Sequence, residues 1–354
     1  MSSIPIEEYQ VGVVCALPKE MRAARAILDK EHKQLKIQDA RDNNNYVFGQ
    51  VHDHNVVIAC LPAGVYGTVA AATVASNMLR TFKGLRFGLM VGIGGGIPNL
   101  KKGRDIRLGD IVVSQPDDTH GGVVQYDLGK SLDGGRFIRR GSLDKPPSLL
   151  LMAVSSLQSQ RGIHVSQVPF YLSEMDQKYP DLKDEGYVFP GIDQDHLYCT
   201  RCDPSRWWWI LWWLLLWFVP FWRCEMCDNG KVLRRSRKPG KPVVHYGTIA
   251  SGNQVVKDPR IRDRLGQEFG ALCVEMEAAG LINDFPCIVI RGICDYADSH
   301  KNDAWQEYAA LVAAAYAKEL LSVIRPTEVA DAECATDVMG ESTKVLYYPD
   351  ETIS

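Results

Sequence analysis

The stretch FGLMVGIGGG, residues 87–96, begins as an apolar run and ends in a glycine-rich segment. Residues 87–91 have the composition of a buried strand. The glycines that follow let the backbone approach an oxygen-rich ligand closely, although a tight turn explains them equally well. A second apolar run, 11–17, precedes Pro18 and a helix-favouring segment, and a third spans 286–291. This alternation predicts an α/β fold, a single domain with a mixed central sheet flanked by helices.

Working outward from this stretch, the patterns predict the remaining elements. The further predicted strands cover 46–48, 56–60, 108–114 and 243–250, and the predicted helices cover 67–79, 147–160 and 304–324. We expect irregular structure over 120–145 and 169–200, and the start of a helix at 274–281. Residues 326–354 are acidic and without pattern, which predicts a flexible tail.

Composition excludes several classes of protein. The 354 residues carry a formal net charge of −3 and are 46% hydrophobic, which is ordinary for a soluble globular protein. The chain is therefore not collagen-like, wholly disordered or a multi-span membrane protein, and it lacks the basic balance that nucleic-acid binding needs. The polar start MSSIPIEEYQ has no secretory signal, and the ten cysteines are widely spread. We therefore expect reduced thiols and a cytoplasmic location.

Polar residues follow several of the predicted strands. Glu20 comes after the first strand, Gly94–Gly96 after the central one and Asp295 after the strand at 286–291, while Glu275 and Glu277 open the segment at 274–281. Ligands of such sheets usually bind at the carboxyl ends of the strands, so these residues are expected to share one pocket. Taken singly, each acidic residue is also explained as a solvated, dipole-stabilising or capping charge.

Six blocks of the chain together resemble the nucleoside phosphorylase and nucleosidase superfamily. The blocks are residues 11–21, 91–98, 108–114, 247–255, 274–280 and 289–295. The most specific are CVEMEAAG at 273–280 and RGICD at 291–295. Within it, the chain resembles fungal proteins related to methylthioadenosine/S-adenosylhomocysteine nucleosidase, some of which are modules of immune-receptor-like proteins. The resemblance implies a domain of this type over residues 5–325.

The resemblance also implies roles for three carboxyl groups. Asp295 would donate a proton toward purine N7, for which burial must raise the pKa of the carboxyl. Glu277 would accept hydrogen bonds from the ribose hydroxyls. Glu20 would orient and deprotonate the attacking water.

Further substrate contacts follow from the same resemblance. Met276 would lie against the sugar, or simply pack in a helix. Arg291 would lie near the attacking water or near a carboxylate behind it, or form a structural ion pair. The other expected substrate-binding residues are Glu275, Gly94, Gly95, Asn253 and Val255. The family's base-stacking ring falls near Gln254 and Val255, neither of which is aromatic.

Two departures from the phosphorylase pattern favour water as the nucleophile. Glu20 stands where phosphorylases carry a phosphate-binding arginine loop, and the central loop has no hydroxyl. We therefore expect hydrolysis of an adenosine-type purine nucleoside to base and ribose, without a cofactor, by a homo-oligomer. Two alternatives stay open. One is phosphorolysis, with Lys19, Arg22 and Arg25 attracting phosphate, and the other is a non-catalytic nucleoside-sensing module.

The region 199–242 is anomalous for this family. Seven of the eight tryptophans lie in residues 207–222, between one CxxC pair at Cys199 and Cys202 and another at Cys224 and Cys227. The spacing permits a Cys₄ zinc site. The tryptophan-rich run is too short for a membrane-spanning helix but permits an interfacial membrane anchor. Duplication of the CxxC block also indicates an insertion, or translated non-coding sequence.

Overall fold

A computed structural model describes residues 4–34, 38–135, 137–198 and 241–338, together with the short strands at 227–228 and 231–232. The tryptophan-rich run 207–222 lies outside the described residues, as do Cys199, Cys202, Cys224 and the side chain of Cys227. The zinc, membrane and insertion hypotheses for this region therefore stay predictions, as do the proposed domain limits. No helix within the described ranges is long and apolar enough to cross a membrane.

The described chain contains fifteen strands and seven α-helices. The strands are β1 (Val11–Cys15), β2 (Lys30–Glu31), β3 (Tyr46–Val51), β4 (His54–Cys60), β5 (Phe87–Gly96), β6 (Ile111–Ser114), β7 (Val123–Gln125), β8 (Gly129–Ser131), β9 (Phe137–Arg139), β10 (Cys227–Asp228), β11 (Lys231–Val232), β12 (Val244–Gly247), β13 (Ile249–Ser251), β14 (Cys273–Glu275) and β15 (Cys287–Asp295). The helices are α1 (Pro18–Ala26), α2 (Thr68–Thr81), α3 (Ser148–Gln160), α4 (Val168–Lys178), α5 (Pro259–Glu268), α6 (Gln306–Ser322) and α7 (Pro326–Asp331).

One mixed sheet organises the molecule, in the order β12-β6-β15-β5-β1-β4-β3-β2. The central strands β4, β1, β5 and β15 are parallel, whereas β6 runs antiparallel to β15 and β3 runs antiparallel to β4. Strands β7, β13 and β14 extend the sheet from the end of β5. The prediction of a mixed central sheet flanked by helices is confirmed.

Helices cover both faces of this sheet. On one face α1, α3 and α4 pack with the alanine-rich α6, which is buried along its length from Tyr308 to Leu321. On the other face α2 packs with the segment around Leu281 and Phe285. Strands buried on both faces are expected to be apolar, as β1 and β5 are throughout and as β15 is apart from Arg291 and Asp295.

The strand β5 is long enough to take part in two pairings. Its first residues lie between β1 and β15, and its last glycines pair with β14. Gly95 is therefore opposite Val274 on β14 and opposite Asp295 on β15, beside an irregularity in the β15 register. The carboxyl ends of β1, β5 and β15 thus meet the acidic segment that follows β14.

Three expectations about local structure are wrong. The segment 169–200 contains the helix α4, whose buried Val168, Tyr171 and Met175 face the core at helical spacing. Instead of a helix, 274–281 begins as the end of β14 and continues as a 3₁₀ turn at Ala278–Gly280, because β14 pairs with the end of β5. Residues 120–145 include the short strands β7, β8 and β9.

The expectation that a flexible tail begins at residue 326 is also wrong. Residues 326–331 form α7, and Val329 and Ala335 are buried in the core. Arg86 donates a hydrogen bond to the Ala332 carbonyl at 2.8 Å, and the Ala335 N–H donates to the Leu85 carbonyl at 2.8 Å. These two hydrogen bonds to the backbone and the burial of Val329 and Ala335 hold in place an acidic segment whose sequence has no hydrophobic periodicity. Residues 339–354 lie outside the described residues.

Candidate active site

A cavity of about 200 Å³ lies where these strand ends meet. Eight of the ten predicted site residues line it: Glu20, Gly94, Gly95, Val255, Glu275, Met276, Glu277 and Asp295. The other two lie close by but do not line it. Arg291 is buried behind the wall, and Asn253 is at the exposed rim, where its side-chain oxygen accepts hydrogen bonds from Thr68. The four acidic residues of the predicted site, Glu20, Glu275, Glu277 and Asp295, therefore line one cavity.

Glu20 is held rigidly in the first turn of α1. Its carboxylate accepts hydrogen bonds from the N–H groups of Ala16 at 2.7 Å, Leu17 at 2.9 Å and Ile93 at 2.8 Å. Burial raises the pKa of Glu20, and the Arg291 guanidinium and these N–H groups oppose that rise. The result is a fixed carboxyl group with an environment suited to exchanging a proton.

Arg291 lies at the centre of three carboxylates. Its Nη2 forms an ion pair with Glu275 and lies 3.4 Å from Glu277 Oε2, while Nη1 lies 4.0 Å from Glu20 Oε1. The guanidinium is fully buried, and the carboxylates raise its pKa further despite that burial. The structure thus shows Arg291 as the ion-pair partner of the acidic wall, which is the structural alternative offered for it above.

Glu275 fixes the turn that presents Glu277 to the cavity. Its carboxylate accepts hydrogen bonds from the N–H of Glu277 at 3.1 Å and of Ala278 at 3.0 Å. Burial raises the pKa of Glu277 to about 7, because Arg291 offsets the loss of solvation only in part and the neighbouring carboxylates add to it. The Glu277 carboxyl therefore changes charge near neutral pH.

The glycines of β5 make room for these side chains. A Cβ atom on Gly92 would lie 2.4 Å from Arg291 Nη1 and 2.6 Å from Glu20 Oε1. A Cβ atom on Gly95 would lie 2.8 Å from Asp295 Oδ1. The Glu20 carboxyl group from α1 and the Asp295 carboxyl group from β15 can reach the cavity because these positions carry no side chain.

Asp295 ends β15 and is 4% exposed. Its Oδ1 accepts a hydrogen bond from the Ala297 N–H at 2.7 Å, and its Oδ2 lies 2.9 Å from the ammonium of Lys301. The Cys294 thiol also donates to Oδ2, at 3.2 Å. Lys301 lines the same cavity and was not predicted from the sequence, where a lysine six positions beyond Asp295 resembles any loop lysine.

An aromatic ring that was not predicted from the sequence also lines the cavity. Tyr66 lines the cavity from the segment before α2, although its side chain is more than half exposed. The resemblance placed the stacking ring near Gln254 and Val255, and both of these non-aromatic residues line the cavity. A ring supplied by a different loop was not recognisable because its approach depends on tertiary structure.

Several known proteins are similar to this chain in sequence. The model of the Phosphorylase superfamily matches residues 225–325. A nucleotide-binding leucine-rich repeat (NLR)-like protein of Hyaloscypha variabilis is 47% identical over 331 residues, which cover 92% of this chain but only 30% of that protein. The 5′-methylthioadenosine/S-adenosylhomocysteine nucleosidase of Mycobacterium tuberculosis is 24% identical over 319 residues, covering 89% of this chain and 96% of that enzyme.

Solved structures share the fold. The futalosine hydrolase of Helicobacter pylori superposes with a TM-score of 0.54 at 18% identity, covering 89% of this chain and 98% of that one. At this level of identity the likeness concerns the fold.

Proposed function

This chain belongs to the nucleoside phosphorylase and nucleosidase superfamily, and from that premise we propose that it hydrolyses the N-glycosidic bond of an adenosine-type purine nucleoside to the free base and ribose. The observation that carries the proposal is the meeting of Glu20, Glu277 and Asp295 on one cavity. These three residues are far apart in the sequence and are brought together by the ends of three different strands.

Each carboxyl group matches a requirement of the reaction. Breaking the glycosidic bond leaves positive charge on the sugar and negative charge on the purine. Asp295 is the general acid for the departing base, and Glu277 accepts hydrogen bonds from the ribose hydroxyls. Glu20 takes a proton from the attacking water. The buried carboxylates also stabilise a sugar that becomes cationic in the transition state.

The environment of Glu20 favours water over phosphate as the nucleophile. Three backbone N–H groups that could bind a phosphate oxygen instead donate to the Glu20 carboxylate. Arg291 is already surrounded by carboxylates. Among the described residues that line the cavity, Lys301 is the single cationic side chain, and it is paired with Asp295. A phosphate dianion would meet more negative than positive charge here.

The test is a purine-release assay over a small panel of purine nucleosides, with and without phosphate. We expect free base and free ribose in both conditions, whereas ribose 1-phosphate formed only with phosphate would establish phosphorolysis instead. Asp295→Asn should lower the rate about 100-fold or more. Asp176→Asn, which alters an ion pair on α4 outside the cavity, should leave the rate unchanged. Release of base by none of the panel would overturn the proposal.

The NLR-like relative supports a second candidate, a nucleoside-sensing module within a larger protein. On this proposal the cavity binds a nucleoside without cleaving it. Thermal stabilisation by a nucleoside without base release, unchanged in Asp295→Asn, is the result that favours sensing. If Asp295→Asn abolishes both base release and the biological output, the non-catalytic sensing module is excluded.

A further inference from the structure

The acid of the proposed reaction is paired with a lysine. Lys301 Nζ lies 2.9 Å from Asp295 Oδ2, its side chain is 25% exposed, and both residues line the cavity. The other carboxylate oxygen, Oδ1, accepts the Ala297 N–H. Donors therefore face both oxygens of Asp295, as they do around a carboxylate that accepts hydrogen bonds.

The groups around this pair reinforce its charge state. Burial lowers the pKa of Lys301, but the Asp295 carboxylate and then the Cys294 thiol and Asp303 raise it by more, so the amine keeps its proton. Burial, together with Asp295, raises the pKa of the Cys294 thiol well above its usual range, which leaves it neutral. Glu20 and Glu277 face the cavity from the segments after β1 and β14. The nearby Asp298 is close to His300 and to Arg262.

A carboxylate held in this way has no proton to give to a departing base. Lys301 carries a proton at hydrogen-bond distance, and its partly exposed side chain connects the pair to solvent. We propose that Lys301 is the proton source of the reaction, passing its proton through Asp295 to the leaving purine. This inference rests on the proposed nucleosidase function.

The proton balance closes without a further reactant. The C1′–N9 bond breaks and its electron pair moves into the purine, whose N7 forms a bond to the proton held by Asp295. Lys301 gives a proton to Asp295 in turn and becomes a neutral amine. The water oxygen bonds to C1′ and one of its protons moves to Glu20. The cycle ends when Glu20 releases that proton to solvent and Lys301 takes one up.

Two substitutions at Lys301 separate proton supply from ion pairing. Lys301→Met removes both, whereas Lys301→Arg keeps a positive partner for Asp295 but has a guanidinium that does not give up its proton. The measurement is kcat/KM for base release between pH 6 and pH 9. We expect the natural enzyme to keep its activity toward alkaline pH. The kcat/KM of both variants should fall about tenfold per pH unit as the pH rises, because the Asp295 carboxyl must then carry the proton itself.

The controls make each outcome decisive. Lys183→Met alters an exposed lysine paired with Asp176 and should reproduce the natural pH profile. If Lys301→Arg also keeps the natural profile, Lys301 only holds Asp295 in place and the inference is overturned, even where Lys301→Met fails to fold. A natural enzyme that releases no base refutes the proposed function and this inference with it. If the natural enzyme is active and both Lys301 variants keep its pH profile, the inference is refuted while the proposed function stands.

Discussion

At the residue scale, the site is an excess of buried negative charge around one guanidinium. Glu20, Glu275 and Glu277 surround Arg291, so one positive charge faces three groups that can be negative. Desolvation makes such a cluster costly unless one carboxyl keeps its proton. The raised pKa values of Glu20 and Glu277 express this cost, and they lead to two predictions.

The first prediction concerns pH. The Glu277 pKa is about 7 in the folded chain, against an ordinary value of 4.5. The folded state therefore binds the proton more tightly, and stability falls as pH rises from about 4.5 to 7. The full loss is roughly 3 kcal/mol above pH 7. Glu277→Gln should reduce this fall in the free energy of unfolding, measured by denaturant titration at pH 5, 6, 7 and 8. The exposed Glu268→Gln is the control, and an equal pH slope in both variants would contradict the prediction.

The second prediction concerns Arg291 itself. Arg291→Met leaves three carboxylates without their shared cation, so we expect a loss of about 3–5 kcal/mol at pH 8. The loss should be smaller at pH 5, where protonation relieves the cluster. Arg325→Met, which breaks an exposed pair with Glu328, should change the stability little at either pH. A cost for Arg291→Met that does not depend on pH would show that packing, rather than charge, explains it.

The sequence predicted the acidic residues of the cavity and Arg291 behind them, but not the lysine that pairs with Asp295. Glu20, Glu277 and Asp295 follow recognisable strand ends and family blocks, and strand ends converge in this class of sheet. Lys301 and Tyr66 lie in loops, where no periodic pattern indicates which side chain turns toward the cavity. The ion pairs of Arg291 could be offered only as one of two alternatives, because the choice depends on side-chain distances.

At the element scale, glycines decide how closely the layers approach. Gly292 on β15 faces α6, and a Cβ atom there would lie 1.9 Å from the Ala309 carbonyl oxygen. Because this neighbour is backbone, the clash could be relieved only by moving the helix away from the sheet. The position of α6 therefore depends on the absence of one side chain.

The third prediction follows from that contact. Gly292→Ala should cost more than about 2 kcal/mol, since it overpacks a buried helix–sheet contact. Gly94→Ala is the matched control on β5, where the nearest atom to a new Cβ is the Val274 carbonyl oxygen at 3.2 Å. It should cost less stability but lower base release, since Gly94 lines the cavity. If both variants have the same stability by thermal unfolding, α6 can move away from the sheet at little cost and the prediction is wrong.

Elements were predicted well where hydrophobic periodicity is strong and poorly where pairing overrides it. The strands β1, β5 and β15 and the helices α2, α3 and α6 follow their patterns. The segment at 274–281 has alanines and glutamates that favour helix, but its first residues are fixed by pairing with β5 and its next by the Glu275 hydrogen bonds. Long-range pairing of this kind leaves no local trace in the sequence.

At the scale of the whole molecule, the cavity is built from segments on either side of the anomalous region. The described lining residues fall between positions 16 and 95 and between positions 254 and 306, so none of them belongs to 199–242. The edge strand β12 of the central sheet likewise begins after the anomalous region, at Val244. The bounds of the anomalous region, the homo-oligomer and the cytoplasmic location stay predictions.

The fourth prediction is that the tryptophan-rich run is dispensable for catalysis. Deleting residues 207–222 removes seven tryptophans and leaves 26 residues between 198 and 241 to connect the flanking segments. Because the cavity walls and their ion pairs lie elsewhere, base release should stay within about threefold of the natural rate. Soluble yield should rise, because a concentrated apolar segment promotes association. Replacing the same residues with a glycine–serine linker of equal length is the control for connection length. Loss of base release in both chains, with the thermal stability of the domain preserved, would show that this region contributes directly to the site.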